Sequence, residues 1–292
     1  MSATRALLQQ ATDRLRAAGL ASPAADARWL LTHVLQVDNL VWAPAALTAA
    51  QAGRYWELVE RRAARQPLQH LTGEMAFRHL VLASAPGVFI VRPETEAVAG
   101  AAIAAAQAAG PQPRVVDLCT GSGAIALALA TEVPGAQVWA VELGAEPLRL
   151  AAANAERVGA SIHLVPGDIR RPLPALAALA GRCDVVVSNP PYIPPTAVPR
   201  DPEVRDHDPA LALYGDGPDG LGHVGAVLAR AAELLRPGGS VLIEHADCQG
   251  LATRTMATQA GFRAARTARD DTDRDRYLVA TWPGEEPGDA AD

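Results

Sequence analysis

The sequence predicts an α/β protein: a doubly wound, mostly parallel sheet with helices on both faces, preceded by a small helical bundle. Three observations predict it. Short apolar runs alternate with helical stretches from about residue 94 to 282, the first 65 residues carry only helical periodicity, and a glycine turn follows the first long apolar run. At 292 residues, 49% hydrophobic and 20% charged, the chain holds apolar mass for one full domain plus a smaller one.

The bundle comes first. Ala6, Leu7, Ala11, Leu15 and Ala18 repeat at three and four, and Gly19 stops that helix. Ser22-Pro23 opens a second as N-cap and first-turn proline, with Trp29, Leu30, His33 and Val34 expected on one side. Thr48 opens a third, whose buried face is expected to carry Tyr55, Trp56 and Val59. Gln66-Pro67 then breaks the helices, and the apolar stretch 77–91 around Ala85-Pro86-Gly87 reads as a hairpin or linker turning at that Pro-Gly pair. Boundaries follow: a bundle over 1–70, a hairpin linker over 71–92 and an α/β domain over 93–282.

Within the α/β domain, helices are expected over 94–109, after the glycine turn, and over 145–158, 220–235 and 250–260. Strands are expected over 114–118, 137–141, 162–165, 184–188, 240–244 and 276–282. The acidic tail 283–292, rich in Pro and Gly, reads as disordered.

A formal charge of −6 and the absence of lysine argue against a surface built to neutralise many phosphates. No run of apolar residues is long enough to span a membrane, and the N-terminus reads as a polar helix without a leader pattern. A cytoplasmic protein is expected. Cys119, Cys183 and Cys248 lie far apart without metal-ligand spacing, so structural thiols and no metal are expected.

Two stretches carry chemistry. Asp117-Leu118-Cys119-Thr120-Gly121-Ser122-Gly123-Ala124 follows the first long strand and opens a helix, where glycines admit close approach and the helix N-terminus offers free N–H groups. A plain tight turn would look similar, and Ala126 stands where a dinucleotide fingerprint has its third glycine. Glu142 ends the next strand, the place from which a carboxylate accepts ribose hydroxyls; Asp168 is placed to accept from the exocyclic amine of adenine, and Ile169 to pack on its ring.

The second stretch is Asn189-Pro190-Pro191-Tyr192, at the carboxyl end of the strand over 184–188. Open α/β sheets bind ligands there. The stretch matches the [DN]-P-P-[YFW] signature of methyltransferases acting on planar nitrogen. Asn189 Oδ1 and the Pro190 carbonyl can each accept one N–H of a target NH2, the prolines fix φ without adding a donor, and Tyr192 can stack on the planar group.

Taken together, the motifs resemble those of the HemK/PrmC-type peptide chain release factor glutamine methyltransferases over nearly the whole chain. The stretches that carry the likeness are 66–73 (QPLQHLTG), 88–96 (VFIVRPETE), 117–124, 188–193 (SNPPYI), 201–204 (DPEV), 219–221 (DGL) and 274–276 (RDR). The resemblance implies a Rossmann-like class I methyltransferase domain of seven strands, the last antiparallel, and a helical N-terminal domain that contacts the release factor. It implies S-adenosyl-L-methionine as cofactor, S-adenosyl-L-homocysteine as product, and the glutamine of a Gly-Gly-Gln loop in release factors 1 and 2 as substrate. Carried over by position, it assigns Cys119, Thr120, Gly121, Ser122, Gly123, Glu142, Ile169 and Asn189 to the cofactor. Asn189, Pro190, Pro191 and Tyr192 fall to the amide, and Thr95 or Glu96 to the methionine end.

Cys119 stands where the family has glycine, and the expectation is a negative φ with room for a small side chain. The main alternative is a methyltransferase acting on exocyclic amines of adenine or guanine in nucleic acid, which shares N-P-P-Y; the charge balance weighs against direct nucleic-acid binding. A non-enzymatic partner of translation or an NAD-dependent dehydrogenase fits the retained motifs less well.

Overall fold

A computed structural model describes residues 2–284, so the tail from 285 on lies outside the described residues. The chain forms two compact units. One gathers 1–74, 84–86 and 199–207, and the other holds the rest.

The helical unit is built on α1 (Ala3–Ala17), α2 (Pro23–Leu35), α3 (Ala49–Ala63) and α4 (Leu68–Thr72). Thr48 and Gln51 close a capping box at the start of α3, satisfying two backbone donors that the first turn leaves free. Ala11, Leu15, Leu30, Leu31, Tyr55 and Val59 form its fully buried centre, and the Tyr55 hydroxyl donates to the Ala27 carbonyl at 2.9 Å. The face of α2 differs from the expectation. Its buried stripe is Ala27, Leu30 and Leu31, whereas Trp29 is 59% exposed, because it lies about 100° around the helix from Leu30.

Residues 199–207 belong to this unit through one ion cluster. On α8 (Pro202–His207), Glu203 accepts from Arg62 at 2.8 Å and Arg65 at 2.6 Å, while Arg62 also donates to Asp26 at 2.7 Å.

In the second unit, β1 (Glu74–Phe77) and β2 (Leu80–Ala83) pair as a two-stranded sheet. The chain reverses at Arg78, in the left-handed region at φ 52°, and not at Ala85-Pro86-Gly87 as the Pro-Gly pair suggested. The Arg78 backbone N–H donates to Glu96, and its guanidinium grips Glu132 through two bonds of 2.6 Å, which holds the strained residue in place.

The main sheet comprises β3 (Arg114–Leu118), β4 (Gln137–Glu142), β5 (His163–Pro166), β6 (Cys183–Ser188), β7 (Leu235–Glu244), β8 (Arg263–Arg269) and β9 (Asp275–Thr281), in spatial order 5-4-3-6-7-9-8. Strands β3 to β7 run parallel, and β9 runs antiparallel between β7 and β8. This is the seven-stranded, mostly parallel sheet that the family resemblance implies, one strand more than the six read from the apolar runs. Between them run α5 (Thr95–Ala109), α6 (Ala124–Glu132), α7 (Ala145–Val158), α9 (Ala210–Leu213), α10 (Gly222–Leu234) and α11 (Gly250–Gln259).

Both faces of the sheet are covered. Val115, Val185 and Val187 pack under α5 and α6, while Val116, Val186 and Val241 pack under α10. Alternate side chains of one strand point to opposite faces, so continuous valine runs are what a doubly covered strand requires.

Two elements differ from expectation. Strand β8 has no counterpart in the expected set: it is an arginine-rich edge strand, mostly solvent-facing, without apolar alternation. Strand β7 begins at Leu235 and absorbs the Arg236-Pro237-Gly238-Gly239 turn, with an irregularity opposite Cys183 and Val185.

Candidate active site

The sheet order reverses direction between β3 and β6, so the carboxyl ends of these neighbours open a crevice. Ser188 ties the two ends together, its hydroxyl donating to the Leu118 carbonyl at 2.5 Å. The residues that follow each strand, Cys119 and Asn189, therefore emerge side by side. Both border one cavity of about 290 Å³, with Thr120, Gly121, Ser122, Glu142, Asp168, Ile169 and Pro191 also on its wall. Gly123, Pro190 and Tyr192 adjoin these lining residues in sequence without themselves bordering the cavity. A Cβ at Gly123 would come within 3.3 Å of Ala151 and Leu127, so this glycine serves close packing of the turn.

The turn is shaped from below by Asp117. Its buried carboxylate accepts the Thr120 hydroxyl at 2.5 Å and the Ala126 N–H at 3.2 Å. Burial pushes this carboxyl up to about 7, against the two bonds that favour its charge. Asn154 on α7 steadies the turn from the side, donating to the Ser122 carbonyl at 3.0 Å and accepting from the Ala83 N–H at 2.6 Å. Sequence reasoning missed Asn154. Its only signal is an amide in a helix, which burial alone turns into a structural tie.

Cys119 corrects an expectation. Its φ is 63°, in the left-handed region, where a negative value was expected. A side chain there costs about 1–2 kcal/mol relative to the right-handed region, while a glycine gives back part of the gain as unfolded-state entropy. Cys119→Gly is therefore expected to raise the melting temperature by about 2 °C in scanning calorimetry, with methyl transfer retained. The thiol itself is pushed well above its ordinary pKa by burial and by the neighbouring Glu142 and Asp117 carboxylates. Cys183 is buried as a structural thiol is expected to be, but Cys248 is exposed, because it sits in a short turn after β7 and not inside an apolar element.

Glu142 is fixed by two backbone donors, Gly121 N–H to Oε2 at 2.8 Å and Gly144 N–H to Oε1 at 2.7 Å. Each oxygen keeps a free lone pair, and the side chain borders the cavity. Asp168 is held below the usual carboxylate range by bonds from Arg170, which also reaches Asp216 at 2.7 Å.

Asn189 is oriented by α5. Its Nδ2 donates to Thr95 Oγ1 at 3.2 Å, which turns Oδ1 the other way. The Tyr192 hydroxyl donates to Glu244 Oε1 at 3.1 Å, at the end of β7, which fixes the tilt of its ring. Gln249 fixes the backbone of this loop, donating to the carbonyls of Tyr192 at 2.8 Å and Asp219 at 3.0 Å. Phe89, Leu211 and His223 complete the wall and were not foreseen, since nothing local to their sequence marks them.

The comparisons with known proteins agree with this geometry. A family model described as PrmC N-terminal domain matches residues 6–73, and one described as methyltransferase small domain matches 80–200. A release factor glutamine methyltransferase of Streptomyces coelicolor is 47% identical, covering 96% of this chain and 98% of its own. A 4-amino-L-phenylalanine/4-methylamino-L-phenylalanine methyltransferase of Streptomyces pristinaespiralis is 40% identical, covering 94% and 93%. Among solved structures, a T. thermophilus 16S rRNA methyltransferase in complex with AdoMet and guanosine shares the fold at TM-score 0.53 and 23% identity, over 72% of this chain and 49% of that one. With near-complete coverage at this identity, and with N-P-P-Y placed against the glycine turn, the chain belongs to the release factor glutamine methyltransferase family.

Proposed function

We propose that this chain moves the methyl group of S-adenosyl-L-methionine onto the side-chain amide nitrogen of the glutamine in the Gly-Gly-Gln motif of release factors 1 and 2, in the cytoplasm. One observation carries the reading. Asn189, with its Oδ1 turned away from Thr95, borders the same cavity as the glycine turn and Glu142.

The residues suit the cofactor. Glu142 offers two placed lone pairs for a ribose diol, a Cβ at Gly121 would meet nothing within 4 Å, and Val141, Leu143 and Ile169 give an apolar wall for a purine. The bound cofactor supplies an electrophilic methyl on a sulfonium. The chain's own residues position the acceptor: Asn189 Oδ1 and the Pro190 carbonyl each accept one N–H, which holds the amide plane and aims its nitrogen. As the N–C bond forms the methyl's bond to sulfur breaks, leaving a neutral thioether, and one N–H proton passes to water, which restores a neutral amide. Most of the rate enhancement comes from holding the reactants together.

The helical unit supplies the protein-binding surface, and its exposed Trp29, Val41 and Trp42 are the apolar side chains available for it. Among the described residues, no helix is long and apolar enough to cross a membrane.

Peptide mapping of release factors 1 and 2 after incubation with the chain and S-adenosylmethionine is expected to show one added methyl, on the Gly-Gly-Gln glutamine. A second reading, methylation of the aromatic amine of a free amino acid, is favoured by the Streptomyces pristinaespiralis relative. Turnover of 4-amino-L-phenylalanine with unmodified release factors would establish that reading instead. Label entering RNA or DNA alone would point to a nucleic-acid amine as acceptor.

A further inference from the structure

The residue that sets the polarity of Asn189 lies one layer behind it. Asn189 carries an oxygen and an NH2 that occupy nearly the same space, and only the oxygen can accept from a target amide. Thr95, fully buried at the start of α5, receives the Asn189 NH2. The Thr95 hydroxyl has a single hydrogen, so it accepts from Asn189 without ambiguity only if that hydrogen is committed elsewhere.

Glu244 is the available partner. It is 2% exposed, its Oε1 accepts the Tyr192 hydroxyl at 3.1 Å, and its Oε2 is buried with no hydrogen-bond partner among the described residues. No Thr95–Glu244 hydrogen bond is formed in the structure, but the buried Thr95 hydroxyl is near enough to favour the charged form of this carboxyl and has no other acceptor among the described residues. A carboxylate accepts only, so it draws the hydrogens of both Thr95 and Tyr192 toward itself.

We propose that Glu244 is a positioning residue for methyl transfer: as a carboxylate it takes the Thr95 hydrogen, which forces the Asn189 NH2 onto Thr95 and presents Oδ1 to the target amide. This rests on the function proposed above. Protonated Glu244, or a glutamine in its place, donates to Thr95. Thr95 then donates to Asn189 Oδ1, the amide flips, and an NH2 faces the NH2 of the substrate.

The device is sensitive to pH. Burial pushes the Glu244 carboxyl up to about 7, opposed by Thr95, Tyr192 and Arg276 and reinforced by Glu94. These groups face it from α5 and its N-cap, from the N-P-P-Y loop and from β9, and His245 follows it just past the end of β7. The competent form is the deprotonated one, so turnover rises with pH through this titration.

The test compares wild type, Glu244→Gln, Thr95→Ser and Thr95→Val, using release factor as substrate. Glu244→Gln is expected to lower kcat about 100-fold, with S-adenosylmethionine binding by calorimetry within a few-fold of wild type. The rise in wild-type kcat within about one pH unit of 7 is expected to vanish in Glu244→Gln. The side-chain NH2 of Asn189 is expected to exchange faster by NMR in Glu244→Gln than in wild type. Thr95→Ser retains turnover and Thr95→Val loses it.

An unchanged pH profile and kcat in Glu244→Gln would overturn the proposal. If that variant fails to fold, equal turnover by Thr95→Ser and Thr95→Val overturns it instead. Failure of wild type itself to methylate the release factor would count against the proposed function and be recognisable as such.

Discussion

Asn189→Ala is expected to lose methyl transfer by on the order of 1000-fold while cofactor binding remains measurable by calorimetry. In the function proposed above, the deleted amide supplies one of two acceptors for the target nitrogen. An amide nitrogen has its lone pair spread into the carbonyl, so it attacks only when held against the donor, and one remaining acceptor leaves it free to rotate. The cofactor keeps the glycine turn, Glu142 and the apolar wall, none of which depends on residue 189 for its own hydrogen bonds. Unchanged turnover in single-turnover assays would dismiss Asn189 from the chemistry.

The second large effect comes from a residue that touches no ligand. Gly220 has φ 76°, and a Cβ there would stand 2.5 Å from the Tyr192 carbonyl oxygen, 2.7 Å from Pro194 N and 2.8 Å from the Ile193 carbonyl carbon. Every obstacle is backbone, so no side chain can swing away. Left-handed strain and overpacking together are expected to cost Gly220→Ala about 3 kcal/mol in denaturant unfolding. Relief must come from moving the loop that carries N-P-P-Y. A shift of about 1 Å at the site costs roughly 100-fold in kcat. Gly73→Ala is the control: its φ is 74°, but a Cβ there meets nothing within 4 Å, so only the strain term applies.

Much of the sheet and the cavity wall were legible because their signals are local. Valine runs, a glycine turn after the first of them and prolines after another mark strand ends wherever the chain goes later. Strand β8 was illegible for the opposite reason: an edge strand made of arginine and alanine has no alternation to read. The hairpin turn was misplaced because a Pro-Gly pair signals more strongly than Arg78, whose conformation is held by Glu96 and Glu132 from elsewhere in the chain. The same holds for Cys119, where an unusual φ leaves no trace in the residue type. Thr95, Asn189, Tyr192 and Glu244 come from three separate stretches, so their linkage exists only in the folded chain.

The ion cluster around Glu203 bears on how this protein can be cut and recombined. The PrmC N-terminal domain match stops at residue 73, which invites treating the head as a detachable cassette. Arg62 and Arg65, however, find a shared carboxylate far downstream, and burial leaves Arg62 little water to replace it. Removing one partner from a buried ion pair typically costs about 3–5 kcal/mol. A chimera spliced at that boundary leaves Arg62 with Asp26 alone and takes from Arg65 the carboxylate it shares, so the head passes between lineages intact only when both stretches travel together.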